Sequence, residues 1–368
     1  MARSPESKSV ASRRRFLGSA AIASAASITG CLGVLGGSNE REDVSYRHRF
    51  ERTGLASAVN DGGIKLGTWE SEGLNVEFRE SSGSQATVQS VQQGEDEFGN
   101  ASTAAILQAI EEGGSLTAFG HVIEPMDGVV SLAESDITSW TDLEGKTVGV
   151  FPWSIQDGLA EVAMRQNGGD SDTLAFQNVQ PGAHNTLLME GELDANISYW
   201  PQSKVRLENK GYGVNTLDIS SVLNHLGVCL FTRDELVEND PDLVNKFVRG
   251  WMKAHEKFVT DLEAVIDAHR EQVVEFDEEL ERQTLGPIYA SRVPPKDIGQ
   301  EHGKGWIPNE KMENTLSVLD EIDQLSGTLS AGEAYTNEFI EDNKELAVDT
   351  ASVYYEELEN NYEVGPEA

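Results

Sequence analysis

Short apolar runs alternate with helical segments from Tyr46 to Leu217, and this alternation limits the folds open to the chain. Runs such as Leu74–Arg79 and Thr147–Phe151 have the length and the flanking glycines that are typical of strands. The segment Gln85–Gln93, which ends at Gly94, has the length and the end signal of a helix. Strands that alternate with helices predict an α/β fold with parallel sheets covered on both faces.

The alternation falls into two arrays, Tyr46–Ile123 and Thr147–Leu217, followed by a mostly helical region after Pro241. Two arrays predict two doubly wound domains with a ligand cleft between them, since ligands bind beyond the carboxyl ends of parallel strands. We expect residues 45–135 and 224–368 to form a discontinuous domain I that includes the C-terminal helices. Domain II is expected to span residues 136–223.

The first 30 residues have the features of an export signal. The pair Arg13-Arg14 precedes Phe16-Leu17 and a short apolar stretch, which indicates the twin-arginine route. Ile28–Cys31 then has the pattern of a lipobox, in which Cys31 becomes the lipidated N-terminus. Residues 31–44 are predicted to form a flexible tether. We expect an extracytoplasmic protein that is lipid-anchored to the outer face of the cell membrane.

The charge of the chain excludes one class of partner. It has 63 Asp and Glu against 28 Lys and Arg, a net charge of −35. Nucleic-acid binding needs basic surfaces, so we expect no nucleic-acid partner. A strongly acidic surface favours a halophilic source, where salt screens self-repulsion. The two cysteines, Cys31 and Cys229, are too few for a metal cluster, and we expect no metal and no cofactor.

Four sequence elements in a fixed order resemble a known family: Glu72–Val76, Gly83–Gly99, Thr141–Val150 and Glu190–Ala195. They are similar to elements of the NMT1/THI5-like substrate-binding proteins of ABC transporters, which bind nitrate, sulfonates, taurine or thiamine-precursor pyrimidines. The resemblance implies a type II periplasmic-binding-protein-like fold. It also implies a monomer that is not an enzyme and that delivers a small solute to a permease and ATPase complex.

Family geometry implies that the ligand lies between the domains, held by loops at strand ends and by helix N-termini, which offer free N–H groups. The candidate ligand-binding residues are Glu51, Arg52, Thr53, Ser82, Gly83, Ser84, Asn100, Ser102, Thr103, Trp153, Ser154, Gln156, Tyr199 and Trp200. No catalytic residue is predicted.

These candidates leave two ligand classes open. Arg52 together with the serines suits a planar anion such as nitrate or a sulfonate, because a guanidinium matches planar oxyanions. Trp153, Tyr199 and Glu51 suit a heteroaromatic ring, through stacking and a carboxylate acceptor. Two other functions are alternatives: an enzyme similar to those of thiamine-pyrimidine biosynthesis, and a ligand-sensing lipoprotein of the same fold.

Overall fold

The computed structural model describes residues 41–52, 54–152, 154–180, 182–273 and 275–362. The predicted signal, Cys31, Thr53 and Trp153 lie outside these residues. The described strands are β1 (Glu42–Arg47), β2 (Leu74–Arg79), β3 (Phe98–Ser102), β4 (Leu116–Ile123), β5 (Asp127–Leu132), β6 (Thr147–Val150), β7 (Ala175–Asn178), β8 (Ala195–Tyr199), β9 (Val214–Asp218) and β10 (Val228–Arg233).

The first eight described helices connect the strands or follow the last one. They are α1 (Leu55–Lys65), α2 (Ser84–Gln92), α3 (Thr103–Glu111), α4 (Gln156–Gln166), α5 (His184–Met189), α6 (Trp200–Glu208), α7 (Ile219–Leu223) and α8 (Asp234–Asn239). The helices of the C-terminal region are α9 (Pro241–Thr260), α10 (Leu262–Arg270), α11 (Glu278–Gln283), α12 (Leu285–Ala290), α13 (Lys296–Glu301), α14 (Asn309–Glu321), α15 (Glu338–Asp342) and α16 (Lys344–Asn361).

Two five-stranded sheets organise the described residues. Sheet A has the order β2-β1-β3-β10-β4, and sheet B has the order β7-β6-β8-β5-β9. We call each sheet with the helices packed on it lobe A and lobe B. This two-sheet α/β architecture confirms the predicted fold class, but the sheets are mixed and not purely parallel. Strand β10 runs antiparallel to β3 and β4, and β5 runs antiparallel to β8 and β9.

Two boundaries differ from those expected from the sequence. Residues 127–132, placed in domain I by the sequence, form strand β5 of sheet B. Only Glu124–Met126 separates β4 from β5, and both strands are buried apolar runs, so the pattern does not show where the chain changes sheet. Residues 42–44, placed in the tether, belong to β1, because the strand pairs with β2 from Glu42 onward. The remaining domain boundaries stay a prediction.

Helix α9 closes the core of lobe A. Its ring of Phe247 stacks on Phe98 of β3, with ring centroids 4.0 Å apart, and meets Tyr46 of β1 edge-on. Trp69 is 1% exposed and donates its indole N–H to the Phe247 carbonyl. A helix with a strong apolar face buries that face against the sheet, as periodicity dictates.

No helix of the described residues is long and apolar enough to cross a bilayer.

The lobes are joined by two chain crossings, Glu124–Met126 and the segment that leads from β9 through α7 to β10. They meet at Gly227, where an added Cβ would lie 2.4 Å from the Ile123 carbonyl oxygen and 2.7 Å from the Pro125 nitrogen. The Gly227 carbonyl also accepts from the backbone N–H and the hydroxyl of Thr103. A glycine is therefore required where the crossings touch.

Candidate ligand-binding site

A small cavity opens in lobe A beside the carboxyl ends of β1 and β3. Its volume is about 10 Å³, enough for about one water molecule. The sheet supplies one wall, α1 another, and the C-terminal helical region the third. The lining side chains are Tyr46, His48, Arg49, Val59, Asn60, Asn100, Val122, Ile123, Trp251, His255 and Arg292.

Asn100 connects the strands at the cavity. Because β1 and β3 run parallel in register, the carboxyl end of β1 lies beside Asn100. The Asn100 amide donates to the Tyr46 hydroxyl, and its Oδ1 accepts from the Arg49 backbone N–H at 3.3 Å and from Arg49 Nη1 at 3.4 Å. These contacts hold the chain that leaves β1 so that Arg49 lines the cavity.

Arg49 brings a poorly hydrated positive charge to the cavity. Among the described residues, no carboxylate lies within 4.0 Å of its guanidinium. Burial lowers its pKa to about 10, partly offset by Tyr46, so it stays charged at neutral pH. A desolvated cation without a carboxylate partner is costly, and an anionic or strongly accepting group would stabilise it.

The C-terminal helical region contributes aromatic rings and a second guanidinium. Arg292 is 3% exposed and lies over the Phe258 ring, 5.3 Å from its centroid. His255 meets Trp251 edge-on and shares a 2.9 Å hydrogen bond between its Nδ1 and the Tyr354 hydroxyl. Burial depresses the pKa of His255, so its imidazole is neutral at neutral pH.

A buried lysine lies behind the aromatic wall. Lys304 Nζ is 4.5 Å from the Trp251 ring centroid, and it donates to the Val122 carbonyl at 2.9 Å. The ammonium group is thus held by a backbone oxygen and an aromatic face. Burial lowers its pKa well below the ordinary value.

Lobe B approaches this region through Tyr199 at the end of β8. Its ring packs against the core of lobe A, and Tyr199 pairs with Asp127 across β8 and β5. Burial raises the pKa of the Tyr199 hydroxyl, while the charges of Arg292 and Arg49 act in the opposite direction. Tyr199 is therefore a lobe B side chain that packs on lobe A and whose pKa is influenced by both guanidinium groups.

Arg52, a predicted ligand residue, is held inside lobe A. Its Nε is 3.1 Å from the Asp61 carboxylate, and its guanidinium lies over the Phe78 ring at 4.7 Å. Asp61 in turn contacts His269 Nδ1 at 2.7 Å. These contacts engage the head group of Arg52, and it does not line the cavity. Glu51, its neighbour, is exposed.

The predicted serine loops stabilise local structure. Ser102 caps α3 by accepting from the Ala105 N–H, and its own N–H donates to the Ser84 hydroxyl at 3.0 Å. Gly83 precedes α2 with a φ of 151°, a conformation that favours glycine. Ser82 is exposed, and Thr103 bonds the Gly227 carbonyl. None of these five residues lines the cavity.

The described candidates of lobe B separate into two sets. Gln156 donates from Nε2 to Asp127 Oδ1 at 2.6 Å, and Ser154 donates to Gln156 Oε1 at 3.2 Å. Together with Tyr199 they lie at the strand ends of sheet B. Trp200 instead packs in a core cluster of lobe B, where its indole covers Gly128.

Of the predicted residues, Asn100 alone lines the cavity within the described part of the chain. Arg49 was not among the predicted residues, because Tyr46, His48 and Phe50 alternate with two arginines and this period-2 pattern indicates a strand. The strand ends at Arg47, and the chain then turns Arg49 into the cavity. Trp251, His255 and Arg292 lie in the helical region after Pro241, far from Arg49 in the sequence, and no local motif marks them.

Comparison with known proteins places the chain in a family. The family model described as NMT1/THI5 like matches residues 63–262, more than half of the chain. The chain belongs to the NMT1/THI5-like family. This confirms the resemblance that the four sequence elements indicated.

Two relatives illustrate the range of proteins to which the chain is similar. Riboflavin-binding protein RibY of Chloroflexus aurantiacus is 23% identical over 210 residues, 55% of this chain and 58% of the relative. This match therefore spans less than two thirds of that relative. The 4-amino-5-hydroxymethyl-2-methylpyrimidine phosphate synthase of Schizosaccharomyces pombe is 23% identical over 315 residues, 72% of this chain and 89% of the relative.

A solved structure supports the fold. The periplasmic aliphatic sulphonate binding protein SsuA from Escherichia coli superposes with a TM-score of 0.64 at 15% identity, covering 80% of this chain and 91% of that one. The NMT1/THI5-like chain thus has the fold of the periplasmic solute-binding proteins.

Proposed function

We propose that this protein is the extracytoplasmic solute-binding lipoprotein of an ABC importer. It captures a small planar solute in the cleft between its lobes and delivers it to the permease and ATPase complex. The observation that carries the proposal is the cavity at the ends of β1 and β3, where Arg49 has no carboxylate within 4.0 Å among the described residues. A binding protein uses such a desolvated group to fix its ligand.

The family and fold support this assignment. Members and neighbours named above bind riboflavin or an aliphatic sulphonate, and both solute classes offer acceptor groups to a guanidinium. The cavity of about 10 Å³ is smaller than either class of solute, so the site at the ends of β1 and β3 must widen for a ligand to bind. The two chain crossings at Gly227 are where such a movement would be accommodated.

Binding can be tested directly with purified protein in molar salt. Thermal unfolding would be followed with nitrate, aliphatic sulfonates, taurine, pyrimidines and riboflavin. A true ligand at a hundred times its Kd stabilises the fold by about 2.7 kcal/mol. No shift with any of these solutes would contradict the proposed ligand classes. Trp153→Ala tests the predicted stacking contact, which should weaken binding of aromatic solutes and leave folding intact.

A second candidate function is an enzyme, which the similarity to the pyrimidine phosphate synthase across 89% of its length favours. We favour binding without turnover. The two can be separated by incubating the protein with a pyrimidine it binds and analysing that pyrimidine by mass spectrometry. Recovery of unchanged pyrimidine supports a binding protein, whereas a new product supports an enzyme.

The location proposed for the protein depends on residues outside the described part. Arg13 and Arg14 would direct export by the twin-arginine route, and Cys31 would carry the lipid. Cys31→Ser should release the protein from membranes into the medium. Continued membrane association of this variant would contradict the lipid anchor.

The net charge of −35 supports a halophilic source. Unfolding in dilute buffer and refolding in molar salt would support this source.

A further inference from the structure

Asp127 is a partly buried carboxylate of lobe B that lies beside Tyr199. It is the first residue of β5 and follows directly on the connector Glu124–Met126. Its register partner is Tyr199, the residue by which lobe B reaches the core of lobe A. The side chain is only partly exposed, and burial raises its pKa, with Asp218 acting in the same direction.

The carboxylate is positioned but not neutralised. Gln156 holds Oδ1 at 2.6 Å, and Gln156 is itself held by the Ser154 hydroxyl. Within the described residues, no lysine, arginine or histidine lies within 4.0 Å of Asp127. One amide hydrogen bond does not offset the desolvation of a carboxylate, so a further N–H donor would stabilise it.

Lobe A has the opposite charge to Asp127, because it contributes the guanidinium groups of Arg49 and Arg292. Tyr199, the register partner of Asp127, packs against the core of lobe A, and the charges of Arg49, Arg292 and Asp127 all act on the pKa of its hydroxyl. A ligand beside Tyr199 would therefore meet cations on the lobe A side and a carboxylate on the lobe B side. Neither Arg49 nor Asp127 has an oppositely charged partner within 4.0 Å among the described residues. The two lobes thus present opposite charges to whatever lies between them.

We propose that Asp127 is a specificity residue that accepts an N–H or ammonium donor of the ligand. The cleft then selects solutes that carry an anionic or strongly accepting group for Arg49 and an N–H donor for Asp127. This inference rests on the proposed solute-binding function and narrows its substrate class. Simple anions such as nitrate satisfy only the lobe A side.

Matched pairs of solutes test the inference. Taurine is compared with ethanesulfonate, which lacks only the amino group. The pyrimidine 4-amino-5-hydroxymethyl-2-methylpyrimidine is compared with the same ring without its 4-amino group. Titration calorimetry in molar salt at pH 7.5 measures each Kd. We expect the wild-type protein to bind the amino member of at least one pair at least tenfold more tightly.

The variant Asp127→Asn removes the charge and keeps the acceptor for Gln156. It should lose at least tenfold in affinity for the amino member and change less than threefold for the partner without it. Asp218→Asn is the control: Asp218 lies in the neighbouring strand β9 and caps α7 through the Ser220 N–H. It should change neither affinity. Thermal unfolding of each variant verifies that it folds.

The outcomes separate this inference from the function on which it rests. If the wild-type protein binds members of these pairs without preferring the amino group, the role of Asp127 is wrong and the solute-binding function stands. An equal loss of both members in Asp127→Asn also overturns it, since a structural role would act on both. If the wild-type protein binds none of the four solutes, nitrate or riboflavin, the proposed function itself fails.

Discussion

The two sheets have the same strand plan, but they are completed by different parts of the chain. In each sheet, the second strand of an array lies outside the first, and the third strand lies on the other side of the first. An antiparallel strand next to a crossing, β10 in sheet A and β5 in sheet B, separates the third strand from the fourth. Lobe A adds the helical region after Pro241, which supplies Trp251, His255 and Arg292 to the cavity. The two sheets therefore share a strand plan, while the added helices supply three side chains to the cavity of lobe A.

The lobes also differ in what they bury. Lobe A and the crossings hold four imidazoles with strongly depressed pKa values: His48, His121, His225 and His255. Lobe B holds one histidine with a lowered pKa, the partly exposed His184. Lobe A and the crossings thus bury neutral imidazole rings, and protonating these rings is unfavourable while the protein is folded. We therefore expect lobe A to be the part that acid destabilises most.

Acidification should have the largest effect. Burial lowers the pKa of His48 to about 3 and those of His121 and His225 to about 4, from an ordinary 6.5. Between these values the unfolded chain binds more protons than the folded protein, so the free energy of unfolding falls as the pH falls. We expect a loss of about 5 kcal/mol between pH 7 and pH 4.5, measured by chemical denaturation in molar salt.

Variants of single histidines can show which lobe accounts for the loss of stability at low pH. His121→Gln removes one buried imidazole, which lies 3.8 Å from the Glu124 carboxylate at the crossing. It should make the free energy of unfolding depend less steeply on pH. His184→Gln in lobe B should reduce the slope by a smaller amount, because that ring is partly exposed. Equal changes in the two variants would remove the contrast between the lobes.

Gly227→Ala should destabilise the crossing that joins the lobes. The new Cβ would lie 2.4 Å from the Ile123 carbonyl oxygen, so the two chain segments must move apart. Overpacking of this kind costs about 3 kcal/mol, measured by urea denaturation. Gly332→Ala is the control, since no atom lies within 4 Å of its added Cβ. If the free energy of unfolding falls by the same small amount in both variants, the two crossings are not tightly packed at Gly227.

Arg49→Gln compares the cavity arginine with its neighbour Arg52. A charge-assisted hydrogen bond to a bound solute contributes about 1.5–3 kcal/mol, so affinity should fall about tenfold to a hundredfold with little loss of stability. Arg52→Gln should instead lower the free energy of unfolding and leave affinity nearly unchanged, because it leaves Asp61 without its arginine partner. Calorimetry and denaturation of both variants distinguish these outcomes. A larger loss of affinity in Arg52→Gln would instead support the sequence-based prediction.

The comparison of the lobes also explains what could be predicted from the sequence. Alternating strands and helices are local signals, so the α/β fold and both arrays were predictable from Tyr46 to Leu217. Asn100, which was named because it lies at a strand end, lines the cavity, and Tyr199 lies at the end of β8. The antiparallel direction of β5 and β10 was not predictable, because the direction of a strand depends on pairings with distant residues.

The remaining cavity residues illustrate the same limit. Trp251 and His255 lie on one face of α9, where their spacing is also that of an ordinary buried helix face. Arg292 reaches the cavity because α12 and the residues after it return to sheet A, a contact that no local pattern encodes. Polar loops at strand ends, by contrast, were visible in the sequence, but several of them cap helices.

Ser102→Ala, the smallest expected effect, tests that last distinction. Ser102 was predicted to contact the ligand, whereas its hydroxyl accepts from the Ala105 N–H and caps α3. Loss of a helix cap costs about 1 kcal/mol, so the variant should unfold earlier in urea and bind solutes within twofold of the wild type. Ser102→Thr keeps the hydroxyl and should restore most of the stability. A tenfold loss of affinity with unchanged stability would show that this loop contacts the ligand. Lobe A would then bind through a strand-end loop that was predicted from the sequence, in addition to Arg49, which was not.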